Sequence, residues 1–342
     1  MVAAAPDVAP NSDYAELRRR VMQLRLLDRQ LGFYACEIAL TCSLAVLAIA
    51  GLVVSPFAWT HFLVGALLAF ATGRIAMLLH DGAHRQIWPP GRRSEAFCLV
   101  TGPLLTGISA AWWKQKHDRH HAHPNDEHLD PDIRISALAF TDEQARRKPW
   151  LLRPITRYQA YLLPVLVLFE GIQLRLAGAR YLATTRCRYR RTEAALLAVH
   201  LAGYVVLVLT TVGLTGLLIV VLVHQALFGL YASSVFAPNH KGMPFVDATR
   251  SWSFLERQVL TARNVRATGL AAWWYGGLNF QIEHHLSPTM PRNRLQDARP
   301  VVRAFCAERG LPYYETSLHE SYREALASMH EAASPLRSPT DA

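Results

Sequence analysis

Long apolar runs alternate with strongly basic segments along this chain of 342 residues. A helix needs about 20 apolar residues to cross the hydrocarbon core of a bilayer. Four stretches meet that requirement, and the pattern predicts a membrane-spanning helix in each of them. The predicted spans are residues 35–54, 62–79, 194–212 and 214–236. We therefore predict an all-α integral membrane protein whose four transmembrane helices form two hairpins.

The distribution of basic residues indicates how these hairpins are oriented. The connection at 55–61 and the turn at Gly213 contain no lysine or arginine, whereas the other connections are rich in both. Arg74, near the end of the second span, is the exception, and we expect it to reach the membrane surface or a partner. Under the positive-inside rule, both termini and the central loop are cytoplasmic.

Segments outside the spans differ in character. The apolar stretches 95–111 and 158–178 are short or interrupted by polar residues, so we expect them to lie at the membrane interface. In the first 34 residues, leucines and a valine repeat at helical spacing among arginines, which predicts an amphipathic helix on the inner leaflet. The predicted organisation is a cytoplasmic N-terminal segment, a membrane domain and a tail with a disordered end. Their bounds are residues 1–34, 35–315 and 316–342.

Composition excludes two other classes of protein. Hydrophobic residues make up 51% of the chain and charged residues 18%, and the formal net charge is +10. The basic residues flank the apolar runs instead of forming one patch, so we expect contacts with membrane lipid and no nucleic-acid binding. The five cysteines have no C-x-x-C spacing, which argues against a disulfide framework and a thiolate metal site.

Three histidine clusters are the candidate chemistry. His80 and His84 lie one helical turn apart, and residues at that spacing share one helix face. The later two clusters share a second spacing, in which positions i, i+3 and i+4 carry side chains that can bind a metal or form hydrogen bonds. These positions are His117, His120 and His121 in one cluster and Gln281, His284 and His285 in the other.

The number of imidazoles predicts two metal ions. Seven histidines are too many for one ion, and His240, directly after the fourth span, is well placed as an eighth ligand. Because both hairpins return to the cytoplasmic side, we expect all the clusters to meet there, in a helical cap that holds a dimetal site. Nitrogen ligands suit iron, zinc, copper or nickel. A metal transporter fits less well, since the clusters share one face instead of following a path through the membrane.

Polar neighbours of the clusters are candidates for orienting the ligands. Asp81, Asp118 and Glu283 are expected to accept the second imidazole N–H and so fix its tautomer. Gln281 stands where the second cluster has a histidine, and since an amide is a poor ligand, we expect it to orient a neighbouring group. Asn239, beside His240, completes this set.

The clusters H-D-G-A-H, H-D-R-H-H and Q-I-E-H-H, with spans arranged two and two, resemble the three histidine boxes of the membrane fatty-acid desaturases. The likeness extends to Asp130-Pro131-Asp132 and to Asn239-His240-Lys241-Gly242, and it covers roughly residues 35–315. It implies that the histidines and His240 bind two iron ions and that dioxygen is a co-substrate.

The resemblance also implies a substrate class. The glutamine-led third box is similar to that of front-end desaturases and of some actinobacterial acyl-CoA desaturases. We expect a multi-pass enzyme of the bacterial cytoplasmic membrane that inserts a cis double bond into an acyl-CoA or acyl-lipid chain, at the delta-9 position of a stearoyl-type substrate. The alternatives are a front-end (delta-6 or delta-5 type) desaturase and an acyl hydroxylase on the same diiron scaffold. Electrons are expected from a separate ferredoxin or ferredoxin-reductase-type protein.

Overall fold

The computed structural model describes residues 12–55, 57–246 and 251–337, and most of them are helical. Fifteen α-helices are described, with a π-helical segment, Val100–Thr106, between the fourth and the fifth. A short parallel strand pair departs from the all-α prediction: β1 (Asn264–Arg266) pairs with β2 (Glu315–Ser317), and Val265 lies opposite Thr316. The helices are α1 Ser12–Gln23, α2 Leu31–Val53, α3 Ala58–Ala83, α4 Arg92–Leu99, α5 Ala110–Ala122, α6 Asp142–Arg146, α7 Arg153–Arg157, α8 Gln159–Leu166, α9 Glu170–Thr184, α10 Arg190–His240, α11 Phe254–Leu260, α12 Gly269–Tyr275, α13 Gln281–Leu286, α14 Leu295–Glu308 and α15 Leu318–Ala332.

The chain divides into two compact units. The first, which we call the long-helix unit, consists of Arg29–Asp118 and Ala160–Phe236. The second, the short-helix unit, consists of the described residues of Met1–Asp28, Arg119–Gln159 and Ala237–Ala342. Helix α5 begins in the long-helix unit and ends in the short-helix unit, so one helix contributes side chains to both.

Within the part of the chain that the structure describes, four helical segments are each long and apolar enough to cross a membrane. Three of them contain the spans predicted from the sequence, and many of their apolar side chains are exposed, as a lipid-facing surface requires. The fourth, Gln159–Thr184, was expected to lie at the interface, yet it forms 26 helical residues with a mean hydropathy of 1.6 in its best window. The other segments are Leu31–Val53, Ala58–Ala83 and Arg190–His240.

Helix α10 spans 51 residues and is broken at Gly213, where φ is 68°. The Tyr204 hydroxyl lies 2.9 Å from Nδ1 of His224, which is 20 residues further along the chain. An unbroken helix would separate two such residues by about 30 Å. The two halves of α10 therefore fold back on each other at the turn predicted from the sequence.

Polar side chains link the long helices to one another. His224 also lies 2.9 Å from the Thr72 hydroxyl of α3, so one imidazole joins α3 to both halves of α10. Arg74 of α3 is buried and pairs with Glu37 of α2. A charge inside an apolar bundle is tolerated when it is paired. Glu37 is therefore the partner of Arg74.

A sharp bend sets the direction of the helix that carries the second histidine cluster. The axis turns by 107° between Arg92–Thr106 and Ala110–Ala122. Buried Glu193 accepts a hydrogen bond from the Ser109 hydroxyl at 2.6 Å and from the Ala111 N–H at 3.1 Å. This carboxylate satisfies the first turn of α5 and fixes where the helix begins.

The short-helix unit has a conventional apolar core. Leu17 and Val21 of α1 are each only 2% exposed and pack in one cluster with Ile282 of α13 and Phe305 of α14. The N-terminal amphipathic helix was expected to place its apolar face on the membrane, but Leu17 and Val21 of that face are covered by protein. Arg20 of the same helix pairs with Glu16 one turn earlier and with Glu308 of α14.

The C-terminal end is more ordered than predicted. Residues up to Arg337 are described, and a 3-10 turn at Ser334–Leu336 follows α15. Pro335 is buried within the short-helix unit, so this turn packs against the protein. Residues 338–342, the remainder of the predicted disordered end, lie outside the described residues, as do residues 1–11.

Candidate metal centres

Helices α3 and α5 bring three predicted ligands together in the long-helix unit. His80 lies in the last turn of α3, His84 follows directly after that helix, and His117 lies in α5. The Nε2 atoms of His84 and His117 are 2.8 Å apart, and one ligand atom from each of the three rings lies within 4.8 Å of the others. We call these residues the α3 trio.

Packing against aromatic and acidic side chains holds the α3 trio. The Trp113 ring stacks on His117 with centroids 4.3 Å apart and also contacts His80 at 5.7 Å. Asp81, which has no exposed surface, accepts from Nδ1 of His80 at 3.1 Å. The structure therefore places the Asp81 carboxylate within hydrogen-bonding distance of a predicted ligand.

A second trio lies in the short-helix unit. His120 of α5, His240 at the end of α10 and His285 of α13 are all buried, with ring centroids 4.6 to 5.1 Å apart. One ligand atom from each ring lies within 4.8 Å of the others. We call these residues the α5 trio, since its first member extends the same helix that supplies His117.

Each imidazole of the α5 trio donates its Nδ1–H to a different acceptor. His120 donates to Asp130 at 3.0 Å, His240 donates to the Thr261 carbonyl at 2.9 Å, and His285 donates to the Gln258 side-chain oxygen at 2.9 Å. A neutral imidazole with a proton on Nδ1 has its lone pair on Nε2. These three acceptors therefore leave three Nε2 atoms as ligands, which is the arrangement common to metal-binding histidines.

The electrostatic surroundings of the α5 trio are uneven. His240 is buried, and the acceptor of its Nδ1–H is a neutral main-chain carbonyl. Burial disfavours the charged form of His120, but the carboxylates of Asp130 and Asp132 outweigh that effect and raise its pKa. The negative charge of the same two carboxylates would also attract a metal ion bound at Nε2 of His120.

The two remaining predicted ligands lie beside the α5 trio. His121 and His284 are buried with ring centroids 4.8 Å apart, and His121 stacks on His285 at 4.2 Å. Within the short-helix unit, five of the eight predicted ligands are therefore in mutual ring contact.

Asp118 and Glu283, two of the polar residues predicted to orient the ligands, contact side chains other than the histidines. Asp118 is half exposed and pairs with Lys114 one turn earlier, so its carboxylate is committed to a surface contact. Glu283 is buried, and its carboxylate accepts from Asn264 and Tyr313, each at 2.7 Å. Burial raises the pKa of Glu283 to about 7 against the opposing effect of those donors. Glu283 thus fixes α13 through β1 and the segment before β2.

Gln281 and Asn239 form a buried pair next to His240. The Gln281 amide nitrogen lies 3.0 Å from Nε2 of His240, and its oxygen accepts from Asn239 at 3.2 Å. Asn239 also donates to the Leu278 carbonyl at 3.1 Å. Gln281 therefore faces the nitrogen that would bind a metal, as expected for an amide that orients a neighbouring group.

Sequence reasoning assigned no role to the acceptors of the α5 trio. Asp130 follows His120 by 10 residues, in a loop outside the histidine cluster. Gln258 and Thr261 lie far from the histidines in sequence, so no spacing pattern relates them to the clusters. The Asp130-Pro131-Asp132 segment was the one available signal, because it resembles a segment of the desaturases.

The donor sets fit a first-row transition metal. Both trios consist of imidazole nitrogens, and the orientation of the α5 trio is already fixed by its Nδ1 acceptors. Hard oxygen-preferring cations such as Mg²⁺ or Ca²⁺ are disfavoured by such ligands. The residues present are therefore suited to the metal that the histidine boxes imply.

Comparisons with known proteins agree with this chemistry. The family model "Fatty acid desaturase" matches residues 57–317. An acyl-lipid (9-3)-desaturase of Physcomitrium patens is 26% identical over 332 residues, which are 94% of this chain and 62% of that protein. A delta(8)-fatty-acid desaturase of Helianthus annuus is 26% identical and one of Euglena gracilis is 29% identical. The alignments cover 96% and 92% of this chain and 75% and 78% of those proteins.

The family match spans most of the chain and includes both trios. It agrees with the apolar helices, which fit a membrane protein, and with the buried histidine groups, which are consistent with a metal site. The chain belongs to the fatty acid desaturase family and is an oxidoreductase of unsaturated fatty-acid metabolism.

Proposed function

We propose that this chain is an iron-dependent acyl desaturase of the front-end type, which inserts a double bond between an existing one and the carboxyl end. The observation that carries the metal chemistry is the pair of converging imidazole trios. The relatives described above are named as acyl-lipid (9-3)- and delta(8)-desaturases. These names favour front-end action, and they give no support to the expected delta-9 position on a stearoyl-type chain.

Iron together with dioxygen supplies the oxidising power to remove hydrogen from an unactivated methylene, which no amino-acid side chain can do. The residues of this chain would bind the iron, orient its ligands and exclude water from the site. The α3 trio and the α5 trio would each hold one ion, and His121 and His284 would complete the ligand set. Asp81, Asp130 and Gln258 keep the proton on Nδ1 of their histidines, so that the opposite nitrogen faces the metal.

A small apolar cavity in the long-helix unit marks one point along the path that an acyl chain would take. It has a volume of about 40 Å³ and is lined by side chains of α3, α9 and α10 together with Ile108 and Trp113. Trp113 also stacks on His117, so one indole forms both a wall of the cavity and a support of the α3 trio. A dry pocket at this position would place acyl methylenes against the histidines and exclude water.

We further propose the surroundings of the reaction. Both termini and the histidines face the cytoplasm of a bacterial cell, and electrons come from a ferredoxin or ferredoxin-reductase-type protein. Exposed arginines offer contacts to such an acidic partner or to anionic lipid, although Arg147 and Arg188 already pair with Glu143 and Glu95. The acyl chain is carried by CoA or by a lipid.

The test is a fatty-acid profile of cells that express the chain with a ferredoxin-type donor and receive a monounsaturated or diunsaturated acyl supplement. Gas chromatography–mass spectrometry after derivatisation locates each double bond. We expect a new double bond on the carboxyl side of the existing one. It should disappear with His121→Ala and persist with His128→Ala, a matched control because His128 is exposed.

Other products would redirect the proposal. A double bond introduced into a saturated chain at its middle would restore the delta-9 assignment and contradict front-end action. A hydroxylated acid that depends on His121 would show oxygen insertion instead of desaturation. An unchanged profile from iron-loaded protein with active donor would contradict acyl desaturation on these substrates.

A further inference from the structure

Gln258 contacts two of the histidine-bearing helices through one side chain. Its amide nitrogen donates to the main-chain carbonyl of His121 at 2.9 Å. Its amide oxygen accepts from Nδ1 of His285, also at 2.9 Å. Gln258 is fully buried in the short-helix unit, so neither contact is exchanged with solvent.

The first contact fixes the chemistry of the second. A carbonyl can only accept, so the amide NH2 of Gln258 must face His121 and the amide oxygen must face His285. An oxygen acceptor requires a proton on Nδ1 of His285, and the lone pair is then on Nε2. One hydrogen bond to a backbone carbonyl thereby selects the imidazole tautomer of a residue in another helix.

Gln258 is itself held rigidly. Helix α11 begins with a reciprocal capping contact, in which Ser253 accepts from the Glu256 N–H and Glu256 accepts from the Ser253 N–H. Leu255 and Val259 of the same helix are buried in the core of the short-helix unit. A side chain on such an anchored helix pays little entropy to keep its two contacts.

Neighbouring contacts extend the same function. Arg257 donates to the Ala122 carbonyl at 3.1 Å, one residue after the carbonyl that Gln258 binds. The last carbonyls of α5 have no partners within that helix, so α11 supplies them. Helix α11 thus fixes the end of α5, which carries His120 and His121, relative to His285.

We propose that Gln258 is the positioning residue of the α5 trio: it fixes the tautomer of His285 and its register with α5, and so determines how firmly that trio holds its metal. The proposal rests on the iron site proposed above. Outer partners of ligating histidines typically contribute 10–100-fold to metal affinity. Asp130 and the Thr261 carbonyl serve the other two rings of the trio.

The experiment measures iron release from the loaded, full-length chain. Purified protein is mixed with excess bipyridine, and the coloured iron complex is followed over time. Gln258→Asn keeps the amide but shortens the side chain by one methylene, so it cannot reach both helices. We expect one of the two ions to leave about tenfold faster than in the parent chain, with the other unchanged.

Two further variants separate positioning from general stability. Gln258→Glu retains an oxygen acceptor for His285, and its release rate should lie closer to that of the parent than the rate of Gln258→Asn does. Gln159 is the matched control, since it is equally buried in the same unit and bonds the main chain of Ala139 and Met329. Gln159→Asn should destabilise the fold without accelerating the loss of one ion.

The outcomes distinguish this inference from the proposed function. Equal release from the parent and from Gln258→Asn, or equal acceleration by Gln159→Asn, overturns the role of Gln258 alone. A parent chain that holds no iron overturns the metal assignment and this role together. Selective loss of one ion from a chain that makes no unsaturated product supports the role of Gln258 and counts only against the proposed substrate.

Discussion

The α3 trio and the α5 trio each consist of three imidazoles, but the two sets of rings are held in different ways. The rings of the α3 trio pack against one another and against Trp113, with Asp81 from the same helix behind His80. In the α5 trio, every ring donates to an acceptor outside the helix that carries it. Tertiary packing brings both trios together, but the acceptor of His80 comes from its own helix, whereas the acceptors of the α5 trio come from other parts of the short-helix unit.

This difference has a consequence for how each trio tolerates change. Aromatic packing fixes ring position through many weak contacts, so the loss of one contact is shared among the rest. A single hydrogen bond to Nδ1 has no substitute, and its loss frees both the tautomer and the orientation of the ring. We therefore expect the α5 trio to be the more sensitive of the two to changes outside its ligands.

The largest effect is expected from the ligands themselves, where the two trios should respond alike. His84→Ala and His240→Ala each remove one imidazole ligand from a trio, which should weaken that trio's hold on its metal ion. Both variants should lose at least 100-fold in product formation, measured by gas chromatography–mass spectrometry at matched expression. Substantial activity in either variant would mean that one trio is not needed for turnover.

The second prediction should separate the trios. Asp130 accepts from His120 and from the main-chain N–H groups of Asn125 and Asp132. Asp130→Asn removes an acceptor and the charge, so the affinity of the α5 trio for iron should fall 10–100-fold. Asp81→Asn should cost less, because packing also holds His80. Competition with a chelator measures both, and an equal loss would contradict the distinction.

A third prediction concerns Glu283, which anchors α13 in the short-helix unit. Because burial raises its pKa to about 7, the folded chain binds more protons than the unfolded chain between about pH 4.5 and 7. In metal-free protein, the free energy of unfolding should therefore decrease as pH rises through that window, by on the order of 3 kcal/mol. Thermal unfolding at several pH values measures the slope.

Glu283→Gln provides the control, because glutamine does not titrate. The variant should show a flatter dependence of the melting temperature on pH over the same window. An identical slope in the two proteins would show that another group is responsible.

A smaller effect is expected in the cavity beside the α3 trio. Ala76 lines this cavity, and Ala76→Leu adds three carbon atoms to a space of about 40 Å³. The longest accepted acyl chains should lose severalfold in conversion relative to shorter ones, as seen in the product profile. Ala50→Leu, at an exposed position of α2, should leave the profile unchanged. A uniform decrease across chain lengths would contradict the cavity's role in substrate selection.

The smallest effect is expected at Asp118, although it lies inside a histidine cluster. Its partner is Lys114 on the exposed side of α5, and such surface pairs contribute about 0.5 kcal/mol or less. Asp118→Asn should therefore keep its iron content and product yield within twofold of the parent. A clear loss of iron would restore the orienting role first expected for this aspartate.

The candidate ligands stand out in the sequence because they repeat at helical spacing. His117, His120 and His121 occupy faces of a single helix, and the order of apolar runs placed α3 and α10 beside their clusters. Gly213 was likewise visible as a turn between two apolar runs. These features depend on residues within a few positions of one another, which is the range over which sequence patterns are informative.

The remaining features depend on contacts between distant residues. The apolar face of α1 was evident, but nothing in the pattern indicated that Phe305 would cover it instead of lipid. Gln258 lies in a short amphipathic helix with no histidine nearby in sequence, so its role appears only when α11 packs beside α5 and α13. Asp118 shows the converse, since proximity in sequence to a ligand did not give contact with it.

The most direct measurement is the iron content per chain. Mass spectrometry of the purified protein gives the amount of metal, and protein quantification gives the number of chains. We predict two iron ions in the parent chain and one in each of His84→Ala and His240→Ala. A parent chain with a single ion, or the same metal content in all three proteins, would contradict the assignment of one ion to each trio.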